Sequence, residues 1–558
     1  MLAPARFLCL AAVVAAPLLG IAQAAEDPVV AVVAIDGYAD LKKQLGWLGQ
    51  RVGNPQLAAL AESFVMMATQ FKGLAGLDVN RPAGVIVTAA GDMPVVHGYM
   101  PVKDLGKLLD TLQGVIGPAA EAGGKRVVTV PGGPPLEITE ADGWAIIAPR
   151  GSPAGAADAA QLIAAVAEAH SIGVKLFPSQ MPAGMRDQLK AALEQASDAA
   201  AAQGQPVDAA AMNVVLDSLA ETESLMFGLA IDLPKERVFV ESRTVMLPGS
   251  PAAGVWENAG RTGNALSLPA GSDGKPAAVR AHHAQAVPAA ARPALEATLV
   301  QALPAGSGDP ITDAIFGLAQ DLVGAMLDAG GLEAALAIDP TVAKADALLP
   351  AVTLAARIRG GPALEAQIKN RFGKEGSLPP EAKLAFDTGR AAGANLHELT
   401  IDISGLPGTE QFGDTLAATL AVTADRVFLL AGGDVAGRVA AAVAAGAEAD
   451  QASKPISGVD VAVPALMAYA GELANAAGDP AGDVLADVAA ESADKANPLV
   501  QLLVQPIERG LAMRLSAEAG AIETIAAAVT ARARGVVSPA GGGFPPLPAG
   551  AGAPALAP

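Results

Sequence analysis

The second part of this chain echoes the first. Gly228-Leu229-Ala230-Ile231-Asp232-Leu233 is matched by Gly510-Leu511-Ala512-Met513-Arg514-Leu515. Ala141-Asp142-Gly143-Trp144-Ala145-Ile146-Ile147-Ala148 lines up with Ala424-Asp425-Arg426-Val427-Phe428-Leu429-Leu430-Ala431, and Gly173-Val174-Lys175-Leu176 with Gly458-Val459-Asp460-Val461. Three windows in one order, at nearly constant spacing, predict a duplication: two tandem halves of one fold. Leu229 and Leu511, Ile146 and Leu429, and Val174 and Val459 would then hold equivalent strand positions. An alanine-rich chain also matches itself by composition, and the N-terminal ends of the halves align only with insertions and deletions. Asp232 faces Arg514 in this alignment and Lys175 faces Asp460. Reversed charge at equivalent positions speaks against one repeated catalytic apparatus.

Short runs rich in β-branched residues read as strands. Val29 to Asp36 is the first. AGVIVTAA and PVVHGYM form a hairpin turned at Gly91-Asp92; KRVVTV, PLEIT and WAIIAP follow between Gly, Pro and Asp turn signals. GVKLF, LMFGLAID and RVFVESRTV continue the series. Helical spacing falls between them, in YADLKKQLGWLGQRV, NPQLAALAESFVMMATQFKGLAG, VKDLGKLLDTLQGVIG, AADAAQLIAAVAEAH and MRDQLKAALEQA. Closely spaced hairpins predict antiparallel pairing. The expected fold class is therefore α+β: two similar tandem halves, each a mostly antiparallel sheet of short strands with helices packed on one face.

The N-terminus adds an export signal. One cation, Arg6, precedes the uncharged run Phe7 to Ala22, which ends in Ala22-Gln23-Ala24. This is the layout of a cleavable secretory signal with its cut before Ala25. The run is short for a membrane span, which needs roughly 20 residues. The expected divisions are a signal peptide at 1–24, a first half at 27–250, a Gly/Pro/Ser-rich connector at 251–276, a second half at 277–534, and a disordered Pro/Gly/Ala tail at 535–558. The tail cannot bury enough surface to offset chain entropy. Residues 477–498 read as an acidic insert, a loop with a short helix. The expected location is periplasmic or secreted.

Cys9, inside the signal, is the only cysteine. The processed chain would hold no disulfide, thiolate metal site or cysteine nucleophile. The hydrophobic fraction is 52% and mean hydropathy is +0.38, a membrane-like value that alanine largely supplies. After residue 24 no uncharged apolar run is long enough to span a bilayer, so no further transmembrane helix is expected. Aromatics at 3% argue against the girdles of an outer-membrane barrel. A net charge of −20 and only three Trp and three Tyr disfavour nucleic-acid binding.

The search for chemistry is mostly negative. There is no phosphate-binding P-loop and no Gly-x-Ser-x-Gly elbow. His397-Glu398 opens like a zinc-protease helix, but Ile401 replaces the second histidine and HELTIDI reads as a strand. Ser-x-x-Lys occurs at Ser272–Lys275 and Ser492–Lys495 without the Lys-Thr-Gly strand that penicillin-recognising enzymes require. His282 and His283 are adjacent, and strand geometry would send their rings to opposite faces. His97 and Tyr99 would share one strand face, as a hydrogen-bonded pair or the lining of a polar pocket. Asp36, Asp232, Asp339 and Asp402 each end a strand, where aspartate opens turns or caps helices; converging, they would make a carboxylate cluster. No catalytic, cofactor-binding or metal-ligating residue is assigned, and no cofactor. The expected function is non-enzymatic: an exported binding or envelope-associated protein whose partner is an unknown protein or small ligand. The alternatives are an exported hydrolase with an unrecognised site, and a carrier of a hydrophobic ligand lined by Ala, Val and Leu.

Overall fold

A computed structural model describes residues 28–533. Excepted are the segments 189–218, 260–276, 290–309, 341–347 and 446–454, within which only isolated residues are described, and short breaks at 92, 123–124, 130–133, 153–157, 375–377 and 406–411. The expected signal peptide, the tail, most of the connector and Ser272–Lys275 lie outside the described residues. Among those described, no helix is long and apolar enough to cross a membrane.

The strands β1 (Val29–Ile35), β2 (Ala83–Ala90), β3 (Met93–Pro101), β4 (Ala120–Ala122), β5 (Lys125–Thr129), β6 (Pro135–Ala141), β7 (Trp144–Pro149), β8 (Ile172–Leu176), β9 (Thr222–Asp232) and β10 (Arg237–Met246) make up the first run. They pair side by side in the order β4-β5-β6-β7-β3-β2-β1-β8-β9-β10. The second run is β11 (Val279–Ala286), β12 (Gly331–Asp339), β13 (Ala351–Arg357), β14 (Ala382–Ala391), β15 (Ala394–Asp402), β16 (Thr415–Val422), β17 (Arg426–Ala431), β18 (Ser457–Ala462), β19 (Leu499–Ile507) and β20 (Gly510–Glu518). Its order is β14-β15-β16-β17-β13-β12-β11-β18-β19-β20. All these pairs are antiparallel.

The expected separate sheets are in fact one. β10 pairs with β20 along its length, from Arg237 opposite Glu518 to Val245 opposite Gly510. Left apart, both strands would expose a row of unpaired backbone donors and acceptors. Joining them satisfies both rows.

The α-helices whose bounds are both described are α1 (Tyr38–Arg51), α2 (Leu57–Ala68), α3 (Leu105–Ile116), α4 (Ala159–Ala169), α5 (Pro251–Ala259), α6 (Pro310–Asp328), α7 (Gly361–Phe372), α8 (Val435–Ala445), α9 (Val463–Ala476), α10 (Ala481–Ser492) and α11 (Ala519–Ala533). One local expectation changes. The helix read over NPQLAALAESFVMMATQFKGLAG stops at Ala68, because Gln70 and Phe71 take left-handed backbone that no helix continues through. The acidic insert holds α10 between short loops, as expected, and α10 packs on α9.

Helices also cover both faces of the sheet, not one. α4 packs on Val32, Ala34, Ile86, Tyr99 and Trp144, and α8 on Ala355, Ala421, Phe428 and Leu430. α3 packs on the other side of the same strands, against Met100, Ala145 and Ile147, and α6 and α7 on Ala356, Val422 and Val427. Wide strands with apolar residues at successive positions, such as Trp144-Ala145-Ile146-Ile147, have two faces to bury. One helix layer can cover only one of them.

The paired windows fare unevenly. Val174 and Val459 both sit on the eighth strand of their run. Leu229 lies on a ninth strand and Leu511 on a tenth, so that window matched two neighbours within a hairpin type. Ile146 packs toward α4, whereas Leu429 is 43% exposed on the opposite side of β17.

Candidate functional site

Residues directly opposite one another in a ladder share a face, and so do alternate residues along a strand. Following these rules across the ladder separates the sheet into two chemically different surfaces. One carries Lys175 on β8, Arg237, Glu241 and Arg243 on β10, Arg514 and Glu518 on β20, Asp460 on β18 and Arg280 on β11. The other, over the eight middle strands β1-β8-β9-β10-β20-β19-β18-β11, carries no Asp, Glu, Lys or Arg at any position within the regular ladder.

The uncharged face is open. Phe227, Val240, Met513 and Leu515, all near the β10–β20 seam, are 46–51% exposed. Around them stand half-buried Val33, Val174, Leu229, Val459, Leu502 and Val504. Two cross-strand rows run the width of this surface. In one, Ile35, Ile172, Leu229, Val240, Leu515, Leu502, Val459 and Ala281 stand opposite one another in turn. In the other the order is Val33, Val174, Phe227, Ser242, Met513, Val504, Ser457 and His283. Leu354 and Leu429 extend the exposed apolar surface onto β13 and β17. A separate apolar stripe, Leu60, Phe64, Met67 and Phe71, lies along and just beyond α2.

The charged face is closed at its centre. Glu241, 2% exposed, accepts from Arg514 Nε at 2.6 Å and from Arg243 Nε. The Arg514 guanidinium stacks 4.5 Å from the centre of Phe239, and the Arg237 guanidinium lies 5.4 Å from the same ring. His170 Nε2 stands 3.8 Å from Glu241 Oε1. Burial holds the His170 imidazole below its ordinary pKa despite the nearby carboxylate. Gly228, opposite Glu241, makes room for that ring: a Cβ there would lie 2.1 Å from His170.

A second polar cluster sits at the far edge of the second run. Glu365 on α7 and Asp387 and His397 on β14 and β15 bring their ligand atoms within 4.8 Å of one another. Lys369 Nζ already stands 2.8 Å from both carboxylates, and Asn395 donates to Glu365. Asp387 N donates to His397 Nδ1 at 3.1 Å. An imidazole that accepts at Nδ1 carries its proton on Nε2, the nitrogen 3.5 Å from Glu365. Nε2 thus has no lone pair for a metal and the lysine supplies the positive charge. The cluster fits an ion bridge tying α7 to β14 better than it fits a metal centre.

The residues singled out from sequence are dispersed. Asp36, Asp232 and Asp402 each accept a backbone N–H in their own turn, from Gly37, Lys235 and Ser404. Asp339 ends β12, buried. Lys495 reaches Glu523 at 3.3 Å, not the Ser492 hydroxyl. His97 and Tyr99 are buried on the face under α4, where Tyr99 meets Trp144 edge-on. His397 lies on a strand. His282 and His283 point to opposite faces, and His283 alone reaches the uncharged one. The uncharged face itself was not identified from sequence. Its signal is in β10, where Val238, Val240, Ser242 and Thr244 alternate with Arg237, Phe239, Glu241 and Arg243.

Comparison with protein-family models found no match, and the same holds for curated proteins and for solved structures.

Proposed function

We propose that the protein is an exported, non-enzymatic binding protein, made of two copies of one ten-stranded unit, that takes an apolar ligand on the uncharged face of its sheet. The observation that carries this reading is the absence of charge from one face of eight adjacent strands, within the regular ladder, whose side chains on that face stay partly open to solvent. Exposed apolar surface on this scale marks a binding surface.

The two-copy reading rests on order and register. Numbered within its own run, each set of strands pairs as 4-5-6-7-3-2-1-8-9-10. Helices fall in the same connections, between strands 1 and 2, 3 and 4, 7 and 8, and after 10. Carrying the registers from the eighth strands outward makes Glu241 and Arg514 equivalent residues of the two tenth strands, and they face each other directly. An approximate two-fold axis would pass through that pair. The same registers relate the two cross-strand rows of the uncharged face. They also set Ile146 against Phe428, where the sequence windows had set Leu429.

The test uses the full chain after signal removal. Saturable fluorescence enhancement of 1-anilinonaphthalene-8-sulfonate is expected, weakened at least tenfold by Val240→Asp with Leu515→Asp while the thermal melt changes little. No saturable binding by the unaltered protein would overturn the reading.

A further inference from the structure

We infer that the ligand is a long-chain carboxylic acid, with its headgroup at His283 and Ser457 and its chain along the row toward Phe227; this rests on the apolar-ligand reading above. His283 on β11 and Ser457 on β18 stand directly opposite each other on the uncharged face. His283 Nδ1 and Ser457 Oγ are 2.6 Å apart. His283 is the one titratable side chain in the regular ladder of that face, and the half-buried amide of Gln285 follows two residues along β11.

The imidazole is neutral at neutral pH. Burial holds its pKa below the ordinary histidine value, and no charged group acts on it. We take the Ser457 hydroxyl as the donor to Nδ1, which places the ring proton on Nε2. Nε2 takes no hydrogen bond among the described residues, so it presents an N–H to a ligand oxygen. An apolar surface with one fixed donor near its rim orients an amphipathic ligand: the apolar area supplies affinity and the donor selects the head. A carboxylate suits that donor better than a hydroxyl or ester, because charge-assisted hydrogen bonds are about twice as strong as neutral ones.

Length agrees with this assignment. From His283 the row passes Ser457, Val504, Met513, Ser242 and Phe227, five strand spacings of about 4.8 Å, or roughly 24 Å. An extended chain of about sixteen carbons covers roughly 20 Å. Direction follows as well. In the related row the corresponding facing pair is Ile35 and Ile172, which offer no donor, so only one end of the surface can take the head.

The experiment measures displacement of 1-anilinonaphthalene-8-sulfonate from the full chain by palmitate, methyl palmitate and hexadecanol. The unaltered protein should bind palmitate at least tenfold more tightly than either neutral compound. His283→Ala should equalise the three by weakening palmitate alone, Ser457→Ala should narrow the gap, and Phe227→Asp should weaken all three. His282→Ala, on the opposite face, should leave the preference intact, with thermal melts confirming that each variant folds. Equal affinities in the unaltered protein, or a preference that survives His283→Ala, overturns the headgroup assignment and leaves the apolar-ligand reading standing. No displacement by any of the three overturns both.

Discussion

Phe428 and Leu429 are neighbours in the chain and opposites in the fold. Phe428 is 1% exposed beneath α8, while Leu429 is 43% exposed on the other side of the same strand. The contrast extends across the middle of the sheet. One face gathers the ions and buries Glu241 at its centre among arginine, histidine and phenylalanine. The other excludes ions and stays open. Apolar residues placed for stability are covered, so an exposed apolar face on the reverse of one that buries a carboxylate inverts the usual arrangement and points to a surface kept for something else.

Substitutions that treat the faces alike would break this comparison. The largest effect is expected from Phe428→Ala, at about 3–5 kcal/mol in denaturant unfolding. Leu429→Ala should cost well under half of that, since much of its side chain is already wet; equal costs would mean that the faces are not distinct. Next is Glu241→Leu, which strips the carboxylate from Arg514 and Arg243. A loss of about 3 kcal/mol is expected, because the buried partner of an ion pair is removed. The adjacent Val240→Lys should shift stability by no more than about 1 kcal/mol.

Acid gives a smaller, graded effect. Burial lowers the pKa of His170 and His397 in the folded protein. Below about pH 6.5 the unfolded chain therefore binds more protons than the folded one. The stability these neutral rings contribute is present above that value and lost as pH falls through it, by at most about 1.4 kcal/mol per pH unit for each. Urea unfolding at pH 7.5 and 5.5 reads the loss. His170→Gln should flatten the profile, and an unchanged slope would show that His170 is protonated at little cost. Smallest of all, deleting residues 536–558 should move the melting temperature by less than about 2 °C if the tail adds no buried area.

Much of the fold was legible because turns and strands are local. Gly91 closes the β2–β3 hairpin, and Val174 and Val459 fall on strands that hold the same rank in their runs. The seam was not legible. Nothing in Arg237–Met246 announces that it pairs with Gly510–Glu518 rather than ending a sheet, since that contact is set by register over a long sequence separation. On the two-copy reading proposed above, the alignment that put Ile146 against Leu429 is one residue out, and in a strand one residue is the difference between faces. The uncharged face was written in alternate residues of β10 but looked like ordinary core patterning. His283 and Ser457 meet only once β11 and β18 are known to be neighbours.

Among the described residues the ladder of twenty strands has two ends. β4 is three residues long, and β14 is interrupted between Ala385 and Gly389, where Asp387 takes left-handed backbone and is held by Lys369. Neither offers a straight row of free amides to another molecule, which is how sheet proteins escape edge-to-edge polymerisation. The break at Asp387, with Lys369 beside it, bends the outer edge of a wide, alanine-rich sheet, and a bent edge is a poor template for another strand.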